Sequence, residues 1–358
     1  MTSDSLSDTI PVRPDERFDE ARLAAYLRDR LPGADGPLQV RQFGGGAANL
    51  TYLLDYGGAD ARQYVLRRPP LGPLAKSAHD MGREFRVLST LYQAYPYAPR
   101  AYLYCGDAGI IGAEFFVMER RQGLVVRRTL PAEFAAVPDA PRQMSLALVD
   151  ALAEFHAVDY NAIGLGDLGQ PDGFIARQVE GWYKRWQAAG SEDVPAMDAV
   201  YAWLAANQPL PSGPSLVHND YKLDNILLDP ANPGRVMAVF DWDMCTLGDP
   251  LSDLGALLAY WIEPSDPPAL QAMAMMPAGD LGFPSRSELV ERYALKSGRS
   301  IQNINFYHAL GLFRVTVIIA QISIRYLRGQ TQDRRFAALG QMIPLTAQAA
   351  LDVAQMRR

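Results

Sequence analysis

The chain has 358 residues, of which 49% are hydrophobic and 21% charged, and 34 basic against 40 acidic residues give a formal net charge of −6. This balance is typical of a globular protein and excludes wholesale disorder. It also argues against a nucleic-acid partner that needs a generally basic surface, and against a polybasic membrane anchor. Two cysteines are too few for a disulfide scaffold or a four-thiolate zinc site. We therefore expect a cytoplasmic protein of two lobes or domains.

The chain ends and the most apolar stretch indicate no membrane segment. Residues 1–16 are polar, lack a signal-peptide pattern and are expected to be frayed. Residues 312–324 are shorter than a membrane span and contain Arg314 and Gln321. We predict a buried helix there and no membrane partner.

The hydrophobic pattern changes near residue 121. Before it, a helix over residues 18–31 precedes five strand-like runs, with one helical run over residues 82–92 inserted between the third and fourth. The five runs cover residues 38–43, 50–56, 64–67, 101–104 and 114–120. Beyond it, the pattern predicts mainly helices, over residues 142–158, 172–189 and 198–206 and again from residue 251, with two short strands over 226–228 and 236–240. The prediction is an α+β chain with a five-stranded antiparallel lobe over residues 1–121 and a mainly helical lobe over residues 122–358.

Two sequence motifs contain the candidate catalytic and metal-binding residues. The run HNDYKLDNILL places the carboxylate of Asp220 five residues before the amide of Asn225. The run VFDWD then places Asp241 at the end of a buried strand, with Asp243 two residues later. Oxygen ligands of this kind suit Mg²⁺, and the carboxylate of Asp220 is able to accept a proton from a substrate hydroxyl. These are the parts that phosphoryl transfer requires.

Both runs resemble the catalytic loop and metal motif of the aminoglycoside phosphotransferase and choline kinase family, small-molecule relatives of the protein kinases. The resemblance extends over residues 36–330 and implies a protein-kinase-like fold that uses ATP and Mg²⁺. It implies that Asp220 is the catalytic base, that Asn225 and Asp241 hold Mg²⁺, and that Asp243 assists the metal or the base.

The same resemblance extends to the following helix. Asp253 matches the position that supports the catalytic loop in this family. His218 is expected to hydrogen-bond within the loop rather than to act as a base. His156, at the end of an amphipathic helix, is expected to be structural.

The first lobe supplies the candidate nucleotide site. Gly45 and Gly46 lie between two predicted strands, where glycines allow the backbone to cover phosphates, and either Asn49 or Thr51 is suited to cap the turn. An ordinary hairpin turn is the alternative.

Arg67 stands where the related kinases usually have a lysine that contacts the α- and β-phosphates. Arginine binds phosphate but is not interchangeable with lysine. Glu84 resembles the helix glutamate that pairs with this cation, and an exposed surface carboxylate is the alternative. Strand alternation puts Arg67 and Arg68 on opposite faces, so a shift of one residue would exchange their roles.

Residues 116–121 resemble the hinge that binds adenine through backbone groups. By position, the carbonyl of Glu119 and the amide of Arg121 would meet the base, with Met118 packed nearby. A buried strand without this role would have the same composition.

The acceptor is the least determined part of the prediction. Residues 241–253 leave no room for an activation segment, which favours a small-molecule hydroxyl over a protein substrate. Residues 259–358 hold 11 basic and 7 acidic side chains. Arg314, Arg325 and Arg328 flank an apolar stretch there, which favours an anionic or partly apolar acceptor over a polycation.

A subset of the family resembles domains fused to acyl-CoA dehydrogenases, which implies a hydroxyacyl-CoA acceptor. The alternatives are an aminoglycoside or choline kinase, a nucleotide-binding module without catalysis, and a metal-dependent hydrolase. The choice between ATP and GTP, and the oligomeric state, stay open.

Overall fold

The computed structural model describes residues 8–44, 49–57, 62–71, 80–190, 193–272, 274–330, 336 and 338–356. The chain divides into two compact units. Unit 1 runs to Gln122 and also includes Phe240–Asp243, whereas unit 2 contains Gly123–Val239 and the chain from Met244 onward. The short segment that carries Asp241 therefore belongs to unit 1 by its contacts.

Unit 1 is built on an antiparallel sheet, which has six strands in the part of the chain that the structure describes. They are β1 (Thr9–Ile10), β2 (Gln39–Phe43), β3 (Leu50–Asp55), β4 (Gln63–Arg68), β5 (Ala101–Cys105) and β6 (Phe115–Glu119). Their order is β1-β2-β3-β4-β6-β5, which places β4 in the interior of the sheet between β3 and β6.

The prediction of five strands is wrong, because β1 adds a sixth at the edge of the sheet. Thr9 pairs with Phe43 and Ile10 pairs with Gln42. Thr9 is also buried, so this part of the segment expected to be frayed is held by pairing. A two-residue strand is held by main-chain hydrogen bonds and is too short to show the alternation by which strands are recognised. Residues 1–7 lie outside the described residues.

Among its described residues, unit 1 also has two α-helices, α1 (Glu20–Leu27) and α2 (Met81–Leu91). Each begins after an aspartate whose side chain accepts a hydrogen bond from the first turn: Asp19 from the N–H of Arg22 at 2.9 Å, and Asp80 from that of Arg83 at 2.8 Å. α1 contributes to the core formed by alternate residues of the sheet, and α2 packs against β5 and β6. The inserted helix was thus predicted to within one residue at either end.

Unit 2 is mainly helical, as predicted. Its helices are α3 (Ala132–Ala135), α4 (Ala140–His156), α5 (Phe174–Ala189), α6 (Pro195–Ala206), α7 (Leu251–Tyr260), α8 (Pro268–Gln271), α9 (Arg286–Ser297), α10 (Ile304–Leu327) and α11 (Ile343–Gln355). Its strands are β7 (Leu124–Val125), β8 (Ser215–Val217), β9 (Ile226–Asp229), β10 (Asn232–Val239) and β11 (Thr246–Gly248). The three strands missed by the sequence analysis, β7, β8 and β11, have two or three residues each, again too few to form a pattern.

The longest helix, α10, covers the apolar stretch for which a buried helix was predicted. Among the described residues it is the one helix long and apolar enough to cross a membrane by length and composition, and half of its most apolar window is buried inside the protein. It packs against α5, α7 and α11. These contacts make α10 the central helix of unit 2.

Glycines set the distance between α7 and α10. A Cβ atom on Gly311 would lie 2.4 Å from the carbonyl oxygen of Gly255, and one on Gly255 would lie 2.2 Å from that of Tyr307. Both distances are far below van der Waals contact, and the opposing atoms are backbone, which cannot rotate away. The two backbones therefore touch at a point that no larger residue would allow.

We expect Gly311→Ala to lower the free energy of unfolding by about 1–3 kcal/mol, because the added methyl overpacks this crossing. Gly181 in α5 is a matched control, because a Cβ there would meet only the end of the Arg185 side chain at 3.7 Å. Gly181→Ala should be neutral or should stabilise the helix by about 0.5–1 kcal/mol. Urea unfolding of both variants measures the difference, and equal stabilities would contradict the assigned role of the crossing.

Candidate functional site

The loop after β8 brings together Asp220 and Asn225, two of the residues predicted from the motif. Asn225 ends a single 3-10 turn, Leu223–Asn225, which folds its side chain back toward the start of the loop. Its Nδ2 donates to the backbone carbonyl of Asp220 at 2.8 Å and to Oδ2 of the same residue at 2.9 Å. The amide thus fixes both the main chain and the carboxylate of the candidate base.

Lys222 is a third member of this group, and the sequence analysis missed it. Its Nζ lies 2.9 Å from Oδ1 and 2.8 Å from Oδ2 of Asp220. Burial opposes the charge on Lys222, but the Asp220 carboxylate outweighs burial and raises the pKa of the lysine above its ordinary value. The signal was available, because residues two apart in an extended segment lie on the same face.

A buried carboxylate supports this loop from α7. Asp253 accepts hydrogen bonds from the backbone N–H groups of His218 at 2.6 Å and of Asn219 at 2.7 Å. The prediction that Asp253 supports the loop is therefore confirmed. His218 is also confirmed in its expected place, since its Nδ1 accepts from the backbone N–H of Asp220 at 3.2 Å.

His156 completes the support and is structural, as predicted. Its Nε2 lies 3.2 Å from Oδ2 of Asp253, and its Nδ1 lies 2.7 Å from the hydroxyl of Tyr293. Burial lowers the pKa of His156, so the ring is neutral near pH 7, donates from Nε2 to Asp253 and accepts at Nδ1. Burial opposes the charge on Asp253 as well, but the hydrogen bonds from His156 and the loop outweigh burial and lower the pKa of Asp253.

The second predicted group lies within unit 1. Arg67 on β4 places Nε 3.1 Å from Oε2 of Glu84 on α2, and its Nη2 donates to Oδ1 of Asp241. The predicted pairing of Arg67 with Glu84 is confirmed, and Glu84 is a buried side chain rather than a surface carboxylate. Arg68 points elsewhere, since it donates to the carbonyl of Ile111 at 3.0 Å. The register of β4 therefore assigns the candidate phosphate-contacting role to Arg67.

The side chains of Arg67, Glu84 and Asp241 interact electrostatically. Burial disfavours the charge on Arg67, but Glu84, Asp241 and Asp243 outweigh burial and raise its pKa above the usual range. Burial raises the pKa of Glu84 to about 7, even though Arg67 lowers it and the backbone N–H of Trp242 donates to it. Glu84 therefore depends on the guanidinium of Arg67 for its charge.

The residues implied as metal ligands suit Mg²⁺ by their chemistry. Asp241 has a φ of 69°, in the left-handed region that residues other than glycine seldom adopt, and its side chain is about 30% exposed. Among the described residues, no group of three or more His, Cys, Asp or Glu side chains is arranged to hold a metal ion. Mg²⁺ bound with phosphates needs only one or two carboxylates, and the roles of Asn225, Asp241 and Asp243 toward a metal stay predictions.

The remaining nucleotide candidates are placed as follows. Met118 and Glu119 end β6, and Glu119 forms an ion pair with Arg121 at 3.1 Å. Asn49 is buried directly before β3. Gly45 and Gly46 lie outside the described residues. The roles of these residues toward adenine and phosphates stay predictions.

A narrow cleft lies beside Lys222 in unit 2. Its walls include Lys222, Asp224, Leu257, Tyr260, Trp261 and Met275. Nζ of Lys222, which contacts Asp220, also lies 5.3 Å from the centre of the Tyr260 ring. The cleft therefore has largely apolar walls next to the candidate base.

The three arginines that flank the apolar stretch of the C-terminal block differ in their exposure to solvent. Arg314 is buried in α10, whereas Arg325 and Arg328 at its end are exposed. Nη2 of Arg314 donates to the carbonyl of Asn219 at 2.7 Å. The sequence places all three arginines around one apolar stretch, but it does not show which face of α10 a neighbouring helix covers.

A family model described as the phosphotransferase enzyme family matches residues 39–287, more than half of the chain. This chain belongs to that family. It is 35% identical over 355 residues to acyl-CoA dehydrogenase family member 11 of Gallus gallus, an alignment that covers 97% of this chain and 45% of that protein. The chain thus spans about half the length of this curated relative.

Solved structures agree with this membership. A Ralstonia eutropha protein that carries the name of an aminoglycoside phosphotransferase is 32% identical, with a TM-score of 0.80 that covers 95% of this chain and 99% of the other. The aminoglycoside phosphotransferase APH(4)-Ia, solved as a thermostable mutant with ADP and hygromycin B, is 18% identical, with a TM-score of 0.57 over 94% of this chain and 99% of the other. The second likeness shows the fold alone. The expected protein-kinase-like fold and the resemblance to small-molecule phosphotransferases are confirmed.

We expect the stability of the protein to fall as the pH drops below about 6.5, because the unfolded state then binds a proton that buried His156 resists. Titration of this histidine should change the free energy of unfolding by up to about 1.4 kcal/mol per pH unit. His156→Gln is able to keep both hydrogen bonds without titrating and should remove that slope. Urea unfolding at about pH 7, 6 and 5 measures it.

His308 gives an independent contribution, because burial lowers its pKa to about 3. The slope from His308 should remain in His156→Gln. A variant with the full wild-type pH dependence would show that His156 is not the neutral, buried donor described above.

Proposed function

We propose that this protein transfers the γ-phosphoryl group of Mg-ATP to a hydroxyl group of a small molecule. Membership of the phosphotransferase family supports small-molecule kinase chemistry. The ADP bound in the structure of the aminoglycoside phosphotransferase APH(4)-Ia supports a nucleotide donor. The observation that carries the proposal is the Asp220 carboxylate, held by Asn225 and Lys222 on a loop that a buried aspartate supports.

In this proposal Asp220 accepts the proton of the acceptor hydroxyl as the oxygen attacks phosphorus. Both oxygens of the carboxylate are held by neighbouring donors, so the group is oriented before the substrate binds. Lys222 keeps a positive charge beside this carboxylate.

The donor side of the reaction is assigned to unit 1 and to the metal. Asn225 and Asp241, assisted by Asp243, are the residues that would hold Mg²⁺, which neutralises phosphate charge when it is bound. Arg67, held by Glu84, would contact the phosphates, and the loop with Gly45, Gly46 and Asn49 would cover them. Met118, Glu119 and Arg121 would line the adenine site.

For the acceptor, we propose an alcohol that has both an apolar part and an anionic group, with hydroxyacyl-CoA as the leading candidate. The cleft beside Lys222 offers the exposed side chain of Met275 to the apolar part. Lys222 and nearby Arg128, whose Nη2 lies 4.0 Å from Sδ of Met275, supply positive charge. Among the residues named along its wall, Asp224 is the one carboxylate, and burial raises its pKa, which is a poor match for a polycation.

We expect Asp220→Asn to lower kcat by about 10²- to 10⁴-fold with little change in KM for ATP, because it removes the base and leaves the proposed nucleotide ligands in place. Asp229→Asn is a control, since Asp229 ends the short strand β9 and pairs with Arg235. Steady-state kinetics measures the loss of kcat, and calorimetry of Mg-ATP binding shows whether nucleotide binding also changes. Full activity of Asp220→Asn would refute the assigned base, and ATP binding without turnover by the wild-type protein would favour a non-catalytic module.

A panel of hydroxyacyl-CoA esters, aminoglycosides and choline tests the acceptor. We expect selective phosphorylation of a hydroxyacyl-CoA and a loss of about tenfold or more in kcat/KM when Met275 is replaced by alanine, because the cleft loses an exposed apolar wall. Selective phosphorylation of kanamycin would overturn the acceptor proposal and leave the proposed reaction type intact. Phosphorus NMR of the products identifies the modified hydroxyl.

A further inference from the structure

Arg314 is an arginine enclosed in the middle of the apolar helix α10. Only 7% of the residue is exposed, and its guanidinium carbon lies 5.2 Å from the centre of the Trp182 ring on α5. A buried guanidinium is costly unless it is hydrogen-bonded and near opposite charge. Here Nη2 donates to the carbonyl of Asn219 at 2.7 Å. The side chain thus reaches from the central helix of unit 2 to the loop that carries Asp220.

The residue that Arg314 contacts has an unusual backbone conformation. Asn219 has a φ of 65°, in the left-handed region that favours glycine. Asp253 on α7 accepts from its N–H at 2.7 Å, and Arg314 on α10 donates to its C=O. Such a conformation persists only where its surroundings enforce it, and here two helices hold the residue from its two ends.

The contact controls the peptide group that leads into Asp220. The carbonyl of Asn219 and the N–H of Asp220 belong to one planar unit. Arg314 holds the carbonyl edge of this plane, and Nδ1 of His218 accepts from the N–H edge at 3.2 Å. With both edges held, the plane cannot rotate, and the direction in which Asp220 leaves the chain is set.

The charge of the guanidinium serves the same loop. Burial and Arg185 lower the pKa of Arg314, and Tyr260, Asp253 and Asp220 oppose this shift by favouring the charged form. A neutral side chain at this position would leave the Asn219 carbonyl without its charged donor.

We propose that Arg314 is a positioning residue for phosphoryl transfer, which orients Asp220 by holding the Asn219–Asp220 peptide plane. The inference rests on the proposed function of Asp220 as the base. It differs from a purely structural role in one respect, since loss of the contact should misdirect the base without weakening nucleotide binding. A small misplacement of a reacting group is enough to cost about 100-fold in rate.

The test compares Arg314→Met and Arg314→Lys in the full chain. We expect Arg314→Met to lower kcat by about 10- to 100-fold with KM for Mg-ATP within about threefold of wild type. Arg314→Lys, which keeps a charged donor, should recover part of kcat. Hydrogen exchange measured by mass spectrometry should be faster in the loop peptide over residues 216–226 of Arg314→Met.

Arg292→Met is the matched control. Arg292 forms a two-pronged pair with Asp150, at 2.7 and 2.6 Å, between α9 and α4 and contacts no residue of the loop in the described structure. It should leave kcat and loop exchange at the wild-type values. If Arg314→Met does not fold, Arg314→Lys carries the test, with a smaller loss of kcat, an unchanged KM and faster exchange as the expected results.

Wild-type loop exchange together with wild-type kcat in the folded Arg314 variants would overturn the proposal. A loss of kcat with unchanged loop exchange would also overturn it, because Arg314 would then act by some route other than the peptide plane. If the wild-type protein transfers no phosphate from Mg-ATP to any acceptor or to water, the proposed function fails. The exchange measurement still decides in that case whether Arg314 orders the loop.

Discussion

The candidate site in unit 2 depends on the hydrogen bonds that the carboxylate of Asp253 accepts. It is fully buried, and it keeps its charge because His156 and two consecutive loop amides donate to it. An unpaired charge at this depth would be prohibitively costly, so the loop amides and the carboxylate need each other. The close contact of α7 with α10 through Gly255 and Gly311 places Asp253 and Arg314 on the two helices that hold the loop. The geometry of this largely buried loop is thereby set by the packing of the helical core.

Unit 1 shows a comparable dependence around Arg67. A single guanidinium contacts Glu84 through Nε and Asp241 through Nη2. A planar fork is suited to two acceptors at fixed angles, whereas a lysine ammonium is a compact point charge on a flexible stem. Replacement of the usual lysine therefore preserves the ion pair with the helix glutamate and changes the geometry with which the cation meets its partners.

The long elements of the fold, and the members of the site that belong to a motif, were predictable from sequence. β2 to β6 and α2 show clear periodicity, and the spacing of Asp220 and Asn225 indicates that they act together. The two- and three-residue strands were missed, because main-chain pairing with a partner distant in sequence holds them. Lys222 was missed because a lysine near acidic residues resembles any solvated surface charge.

The identities and spacing of residues determined the family, the division into strand-rich and helical parts, and the candidate base and metal ligands, because these depend on local pattern and on side-chain chemistry. Tertiary structure alone decided which of two adjacent arginines meets Glu84, that Arg314 faces the loop carbonyl rather than a ligand, and that Asp253 is buried beneath two amides. Each of these depends on strand register or on the packing of helices from distant parts of the chain. Such packing is set by the filling of a common core, and no single segment of the sequence specifies it.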